Sequence, residues 1–284
     1  MLPITPMPIV NAETSARGEL TSSLGARAIP RWRDVRNYVL QIASVALFFF
    51  LGFAISVAVP VFYLTLGRRR SLRAGVRILP ALFRFYTGWL QWAGLFRVRF
   101  EGREQLEKIS GAIVAPNHPG LLDAIFLMAV VPRPVCIMRA GLKYNPCIAG
   151  AAWLAGYITN DRGSGLIRQC QSKLAAGDNL LIFPEGTRTR SDARGVNKFK
   201  SGFALTAVLT GAPIQTVLIE RSGAYLGKET SLVSAARIPI EMTIRLGEVF
   251  HARPGESAKE LSARLEMYFR ERLANTDGGV RLRN

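Results

Sequence analysis

The longest uncharged segment of the chain is the feature that most limits its fold. It runs for 28 residues, from Val39 to Leu66 (VLQIASVALFFFLGFAISVAVPVFYLTL). As a helix it would extend about 42 Å, whereas the hydrocarbon core of a bilayer is roughly 30 Å thick. The segment is therefore long enough to span a membrane with tilt. Gly52 and Pro60 interrupt it, so a kinked or re-entrant element that enters and leaves by one face is also open.

A cleaved secretory signal is an alternative interpretation of the same segment. Ser56-Val57-Ala58 resembles a small-x-small cleavage site after an apolar run. However, the charged region before the run would be unusually long for a signal. The run also continues past this site to Leu66. We therefore expect the segment to be retained as an anchor.

A basic and aromatic segment follows the anchor, with no acidic residue before Glu101. Its arginines and its aromatic and leucine residues are Arg68, Arg69, Arg70, Arg73, Arg77, Arg84, Leu82, Phe83, Phe85, Tyr86, Trp89 and Trp92. This mixture is typical of a helix at a membrane interface, where each arginine is worth about 1 kcal/mol. The alternative is a basic helix packed on a soluble domain. Arginines also precede the anchor, and charge on both flanks favours a re-entrant hairpin with both ends in the cytoplasm.

Composition indicates an anionic partner and no protein metal site. The chain has 37 Lys and Arg against 20 Asp and Glu, a formal charge of +17, with 49% hydrophobic residues. So much apolar character favours membrane lipid over nucleic acid as the partner. Cys136, Cys147 and Cys170 are odd in number and lack C-x-x-C spacing, which predicts neither disulfides nor zinc. His118 and His251 stand far apart, and we expect His251 to be an ordinary surface loop residue.

Apolar β-type runs alternate with helical patterns from about residue 98. We therefore predict an α/β domain over 98–284, with a mixed, largely buried sheet flanked by helices and preceded by an N-terminal membrane-embedded helical element. Residues 1–37 are predicted as a mobile basic tail, and residues 38–97 as the anchor and interfacial helix. The predicted strands are Val98–Phe100, Ala112–Ala115, Val135–Met138, Leu180–Phe183, Ile214–Ile219 and Met242–Leu246. The predicted helices lie near 121–131, 145–155, 164–176, 200–210 and 257–275.

A first polar motif follows the second predicted strand. The sequence Pro116-Asn117-His118-Pro119-Gly120-Leu121-Leu122-Asp123 leads into a uniformly apolar helix. Because a Pro-Gly turn can fold the chain back, Asp123 is expected beside His118. A carboxylate on one imidazole nitrogen fixes the tautomer and leaves the other nitrogen to take a proton from a hydroxyl. The alternative is that Asp123 merely caps the helix.

A second polar motif follows the predicted strand Leu180–Phe183. It reads Pro184-Glu185-Gly186-Thr187-Arg188, and further cations follow at Arg190, Arg194, Lys198 and Lys200. Guanidinium groups and backbone amides suit a phosphate monoester. By itself the segment could equally be a solvated basic loop.

The two motifs together resemble those of the glycerophospholipid acyltransferases, particularly the 1-acylglycerol-3-phosphate acyltransferases. The resemblance lies in N-H-x-x-x-x-D followed about sixty residues later by F-P-E-G-T-R, and it runs from about residue 98 to 273. The segment Tyr157–Arg162 looks like the family's second block, and Pro213–Ile219 looks like its fourth. Together with the anchor, the resemblance implies a membrane enzyme, which we expect on the cytoplasmic side of a bacterial inner membrane.

The resemblance also implies roles for individual residues. His118 would be the catalytic base and Asp123 would orient it. The acceptor would be bound by Arg162, Glu185, Gly186, Thr187, Arg188 and Lys200. The acyl donor would be acyl-CoA or acyl carrier protein, the acceptor a lysophospholipid such as lysophosphatidic acid, and no cofactor or metal would be needed.

The sequence departs from the family beside the base. Pro119 and Gly120 stand where the family commonly has a polar residue followed by serine. This departure leaves the acceptor open, since acyltransferases serving ornithine lipids or aryl polyenes share much of the pattern. A non-catalytic scaffold that binds anionic lipid through its arginines is the alternative from another class. The paired motifs argue against it, because a scaffold needs no histidine and aspartate across a turn.

Overall fold

The structure is a computed structural model and describes residues 32–161, 164–190, 193, 195–222 and 238–277. The predicted tail lies mostly outside the described residues. Its last part, from Trp32, is helical.

The predicted anchor and interfacial helix form two antiparallel helices within Trp32–Trp92, α1a (residues 32–66) and α1b (residues 68–92). The helical path breaks at Gly67, whose φ of 72° and ψ of 160° are accessible only to glycine. The hydroxyl of Tyr86 donates to the carbonyl of Ser44 across the pair at 3.1 Å. The helix continues through Gly52 and Pro60, so the interruption expected there is wrong. Reversal needs a left-handed residue, and Gly67 supplies it.

Seven strands form one mixed sheet in the order β1-β7-β6-β2-β5-β3-β4. Only β7 and β1 run against the other strands. Six of the strands were predicted, and the two-residue strand β4 was not, because it is too short to show a pattern. The strands are β1 (Phe96–Glu101), β2 (Ile113–Pro116), β3 (Pro134–Met138), β4 (Ile158–Thr159), β5 (Asn179–Leu181), β6 (Ile214–Arg221) and β7 (Ile240–Phe250).

Helices cover both faces of the sheet and bury it in two apolar clusters. One cluster packs α1b and α3 against the sheet, and the other packs α5, α6 and α7. Leu261, Leu265 and Phe269 of α7 are fully buried and lie four residues apart, as on the buried face of an amphipathic helix. The helices are α2 (Arg103–Leu106), α3 (Asp123–Met128), the 3₁₀ helix Ala140–Tyr144, α4 (Ala149–Ala155), α5 (Ser164–Ala175), α6 (Gly202–Thr210) and α7 (Ala258–Asp277). The predicted mixed α/β fold is confirmed.

The helical hairpin packs closely against α4 and the residues before it. A Cβ added to Gly52 would lie 2.0 Å from the carbonyl oxygen of Cys147, and one added to Gly150 would lie 2.3 Å from the Cα of Ser56. The hydroxyl of Ser56 also accepts a hydrogen bond from the Gly150 amide at 3.0 Å. Because only hydrogen fits at these glycines, backbone meets backbone. The hairpin is thereby tied to the α/β unit.

Candidate active site

The two polar motifs meet because their strands are neighbours. Strand β2 pairs in parallel with β5, with Ile113 opposite Leu180 and Val114 opposite Leu181. Parallel strands end at the same edge of a sheet, so the loops that follow β2 and β5 lie side by side. The candidate site lies at this edge.

The turn after β2 brings His118 and Asp123 together. Nδ1 of His118 lies 3.1 Å from Oδ2 of Asp123, and the two side chains are 16% and 0% exposed. The same carboxylate oxygen accepts a hydrogen bond from the amide of Gly120 at 2.6 Å. Asp123 therefore fastens the turn before α3 and also faces the imidazole, but it does not cap the helix, whose N-cap is Leu122 without a side-chain cap hydrogen bond. Its other oxygen, Oδ1, is buried and has no hydrogen-bond partner among the described residues.

The loop that carries His118 is held on both sides. Its imidazole stacks on the ring of Phe183, with centroids 4.0 Å apart and planes at 29°. The His118 amide donates to Oε1 of Glu185 at 2.9 Å, and its carbonyl accepts from the Thr189 amide at 2.7 Å. With Nδ1 facing Asp123, Nε2 is the nitrogen that can take a proton from a substrate.

Glu185 joins the two motif loops. The residue is 1% exposed. Its Oε1 accepts from the His118 amide and from the Thr189 hydroxyl, while Oε2 accepts from the Asn197 amide at 2.9 Å. A buried carboxylate that accepts three hydrogen bonds has its hydrogen-bonding requirement met by the protein itself. In the structure the side chain holds the two loops together, and binding of the acceptor by Glu185 stays a prediction.

Cations line the loop after β5. Gly186 has a φ of 63°, and an added Cβ would lie 3.0 Å from Nζ of Lys200. Arg139, which directly follows β3, donates through Nη2 to the carbonyl of Gly186 at 3.3 Å. The side chains of Thr187 and Arg188 are partly exposed at the same edge. Sequence reasoning missed Arg139, although an arginine at the end of a neighbouring parallel strand was a usable signal.

Arg221 also reaches this edge, from the end of β6. A Cβ added to Gly120 would lie 2.8 Å from its Nη1 and 3.1 Å from its Cζ, so the guanidinium packs against the turn. Burial lowers the pKa of Arg221, the carboxylate of Asp123 opposes that change, and the charge of Arg188 adds to it. Nothing local in the sequence connects Arg221 with the first motif.

Arg162 and His251 are the remaining residues that the sequence analysis singled out. Arg162 lies outside the described residues, next to Asp161, whose Oδ2 accepts a hydrogen bond from Nζ of Lys143 at 2.6 Å. That bond is the main reason why the pKa of Asp161 is lowered to about 2. His251 is exposed in a loop, as expected. In the part of the chain that the structure describes, no cluster of three His, Cys, Asp or Glu could hold a metal.

Comparison with known proteins identifies the domain around this edge. Residues 97–220 match the Acyltransferase family model. A 1-acyl-sn-glycerol-3-phosphate acyltransferase of Chlamydomonas reinhardtii is 26% identical over 245 residues, 81% of this chain and 73% of the relative. The enzyme of that name in Haemophilus influenzae is 34% identical over 141 residues, but the match covers only 45% of this chain and 58% of the relative. The corresponding enzyme of Escherichia coli is 25% identical over 66% of this chain and 78% of its own length.

A solved structure shows the same fold. The crystal structure of the 1-acyl-sn-glycerophosphate acyltransferase from Thermotoga maritima superposes with a TM-score of 0.65 at 20% identity, covering 89% of this chain and all of that one. The resemblance seen in the two motifs is thus confirmed. Residues 97–220 of this chain thus match the Acyltransferase family model, and the relatives that the chain resembles are named 1-acyl-sn-glycerol-3-phosphate acyltransferases.

Proposed function

We propose that this protein transfers a fatty acyl group from acyl-CoA or acyl carrier protein to the free hydroxyl of 1-acylglycerol-3-phosphate, forming phosphatidic acid. The observation that carries the proposal is the His118–Asp123 pair at 3.1 Å beside a loop lined by cations. One edge of the sheet thus combines a base for a hydroxyl with a binding surface for an anion.

The pair supports direct transfer without a covalent enzyme intermediate. Nε2 of His118 removes the proton of the acceptor hydroxyl as its oxygen bonds to the thioester carbonyl carbon. Asp123 fixes the Nδ1–H tautomer and stabilises the imidazolium that forms. When the tetrahedral intermediate collapses, the carbon–sulfur bond breaks and the thiolate takes the proton from His118. The products are the new ester and the free thiol, so neither metal nor prosthetic group is required.

The cations at the loop after β5 are proposed to bind the acceptor phosphate. Arg188 and Lys200 belong to the loop after β5, and Arg139 binds the same loop at Gly186. Guanidinium forks and an ammonium bind phosphate oxygens by charge-assisted hydrogen bonds. Gly186 lets the loop backbone approach the ligand, and the Thr187 hydroxyl is a further donor. Arg162 is proposed for the same phosphate from its place in the second sequence block.

The helical hairpin is proposed to bind the membrane. A window within Val35–Trp92 has a mean hydropathy of 2.5 and is only 17% buried. Phe50 and Leu64 are 67% and 87% exposed. Arginines 68 to 70 are exposed at the reversal of the chain, and charges at the bilayer centre are costly. The hairpin therefore suits the interface, with apolar side chains in the acyl region and arginines among cytoplasmic headgroups.

The central test is a comparison of the two histidines. In vesicles containing lysophosphatidic acid, His118→Ala should lower the transfer of labelled acyl groups from acyl-CoA by about 10² to 10⁴. His251→Ala is the matched control, because it removes an exposed histidine elsewhere and should leave the rate unchanged. Transfer that persists in His118→Ala would show that the proposed base is wrong.

A different acceptor is the second candidate, and Gly120 favours it. Gly120 stands where the resemblance of the first motif to the acyltransferase family implies a serine, so the surroundings of the base differ from that pattern. An acceptor without a glycerol phosphate, such as lyso-ornithine lipid, depends less on Arg188. Arg188→Gln should then abolish activity toward lysophosphatidic acid and spare activity toward the other acceptor.

A further inference from the structure

The space beside Gly120 is bordered by two charged groups of opposite sign. An ideal Cβ at Gly120 would lie 2.8 Å from Nη1 of Arg221 and 3.1 Å from Oδ1 of Asp123. Oδ1 is the buried carboxylate oxygen that has no hydrogen-bond partner among the described residues. The absence of a side chain at Gly120 therefore lets a guanidinium approach the unsatisfied side of the carboxylate that faces His118.

The position of Arg221 is fixed from the same loop. The side chain of Asn117 is buried and bonds twice to the backbone of Ile219 in β6. Its Oδ1 accepts from the Ile219 amide at 2.7 Å, and its Nδ2 donates to the Ile219 carbonyl at 2.8 Å. Arg221 lies two residues further along β6. The residue that precedes His118 thus holds the end of β6, and with it the guanidinium, against the turn.

We propose that Arg221 is a positioning residue that acts on His118 through the Asp123 carboxylate. Its positive charge faces the buried carboxylate on the side away from the imidazole and holds Oδ2 of Asp123 directed at Nδ1 of His118. The proposal rests on the proposed function, in which His118 is the base. It assigns to Arg221 the place that a hydroxyl at position 120 would otherwise take.

The electrostatic environment supports this assignment. The carboxylate of Asp123 raises the pKa of Arg221 against the effect of burial, so the two charges attract. Arg188 repels the same guanidinium. Attraction to Asp123 and repulsion from Arg188 therefore both favour a guanidinium placed on the Asp123 side.

The test separates orientation of the base from binding of a phosphate. Initial rates would be measured with lysophosphatidic acid and with monoacylglycerol, which has the hydroxyl but no phosphate. Arg221→Gln should lower kcat by about ten- to hundredfold, as removal of an outer-shell partner often does, and by a similar factor for both acceptors. Arg221→Lys should recover part of the loss because it retains the charge.

Two variants at Gly120 provide an independent comparison. The Cβ of Gly120→Ala would overlap the guanidinium and displace it, so kcat should fall while Arg221 remains present. Gly120→Ser displaces it too, but adds a hydroxyl within reach of Oδ1. The kcat of Gly120→Ser should therefore exceed that of Gly120→Ala. In the double variant, Gly120→Ser should also raise the kcat above that of Arg221→Gln alone. Arg99→Gln, on an exposed residue of β1, is the control for loss of one positive charge.

The outcomes are distinguishable. Unchanged kcat in both Arg221→Gln and Gly120→Ala would overturn the proposal. So would a rise in KM for lysophosphatidic acid alone, which would make Arg221 a phosphate ligand. If Arg221→Gln does not fold, as judged by circular dichroism, equal kcat in Gly120→Ala and the unsubstituted protein would overturn it. Full activity in His118→Ala would instead refute the proposed function.

Discussion

The hairpin and the sheet are both rich in large apolar residues, yet they place them in opposite surroundings. In the hairpin Phe50 and Leu64 are 67% and 87% exposed, whereas Ile113 and Leu180 of the sheet are fully buried. Burying apolar area gains roughly 25 cal/mol per Å², and the exposed apolar surface of the hairpin is the reason why we propose that it meets lipid. Hydrophobic composition therefore does not by itself locate a core.

The two regions also have different proposed functions. The sheet edge carries the reactive groups and the cations, while the hairpin presents the apolar surface proposed to meet lipid. Close backbone contact at Gly52 and Gly150 joins them. Substitutions should therefore fall into those that change the chemistry, those that change membrane binding and those that change the contact between the hairpin and the α/β unit.

The largest effect should come from Asp123→Asn. An amide retains the shape but cannot hold the imidazolium or impose the tautomer, so kcat should fall by about 10² to 10⁴. Sedimentation with vesicles should be unchanged, because the hairpin is untouched. Equal loss of vesicle binding would break the division between the two regions.

Acidic residues on the hairpin should affect binding and not chemistry. Phe50→Asp combined with Leu64→Asp should weaken sedimentation with vesicles tenfold or more, since an aspartate in the apolar region costs about 2.5 to 3.5 kcal/mol at full depth. Met267→Asp, at an exposed methionine of α7, is the matched control. Activity on short-chain acceptors in solution should be retained. Vesicle binding equal to that of the control would contradict the interfacial role.

A third prediction concerns the contact between the hairpin and the α/β unit. Gly52→Ala places a Cβ 2.0 Å from the Cys147 carbonyl oxygen, which must move. The free energy of unfolding should fall by about 1 to 3 kcal/mol, the range for overpacking, as measured by thermal denaturation in detergent. Gly88→Ala is the matched control, because nothing lies within 4 Å of its added Cβ. It should be neutral or slightly stabilising. Equal stability of the two variants would show that the hairpin can shift freely.

The smallest effect should appear at Cys136 in β3. Burial raises the pKa of this thiol to about 12, so it stays protonated at pH 8 and reacts slowly with iodoacetamide. Peptide mass spectrometry should find it unmodified in the folded protein and alkylated after unfolding. Rapid alkylation in the folded protein would show that the sheet is open around this partly buried cysteine.

Most of the secondary structure followed from pattern, and the exceptions have identifiable causes. The β-type runs predicted six strands because buried parallel strands read as short apolar stretches. Strand β4 has two residues and is too short for any period. The reversal at Gly67 was missed because Gly52 and Pro60 interrupt the apolar run more visibly. Gly52 packs closely against the backbone of Cys147 within the continuous helix.

The candidate site divides in the same way. Turn chemistry alone predicts that Asp123 folds back to His118, since the two are five residues apart. Glu185 was assigned to the acceptor from a motif, but its burial and its three hydrogen bonds depend on loops that only the fold brings together. The pairing of β2 with β5 decides that the two motifs meet.

The sequence by itself determined the apolar hairpin segment, the strand and helix order and the local pairing of His118 with Asp123. Periodicity and turn preference act over a few residues and can be seen in a single chain. Tertiary structure decided the reversal at Gly67, the role of Glu185 and the arrival of Arg139 and Arg221 at the site. These depend on strand order and on backbone approaches at glycines such as Gly120, which join residues far apart in the chain and leave no local pattern.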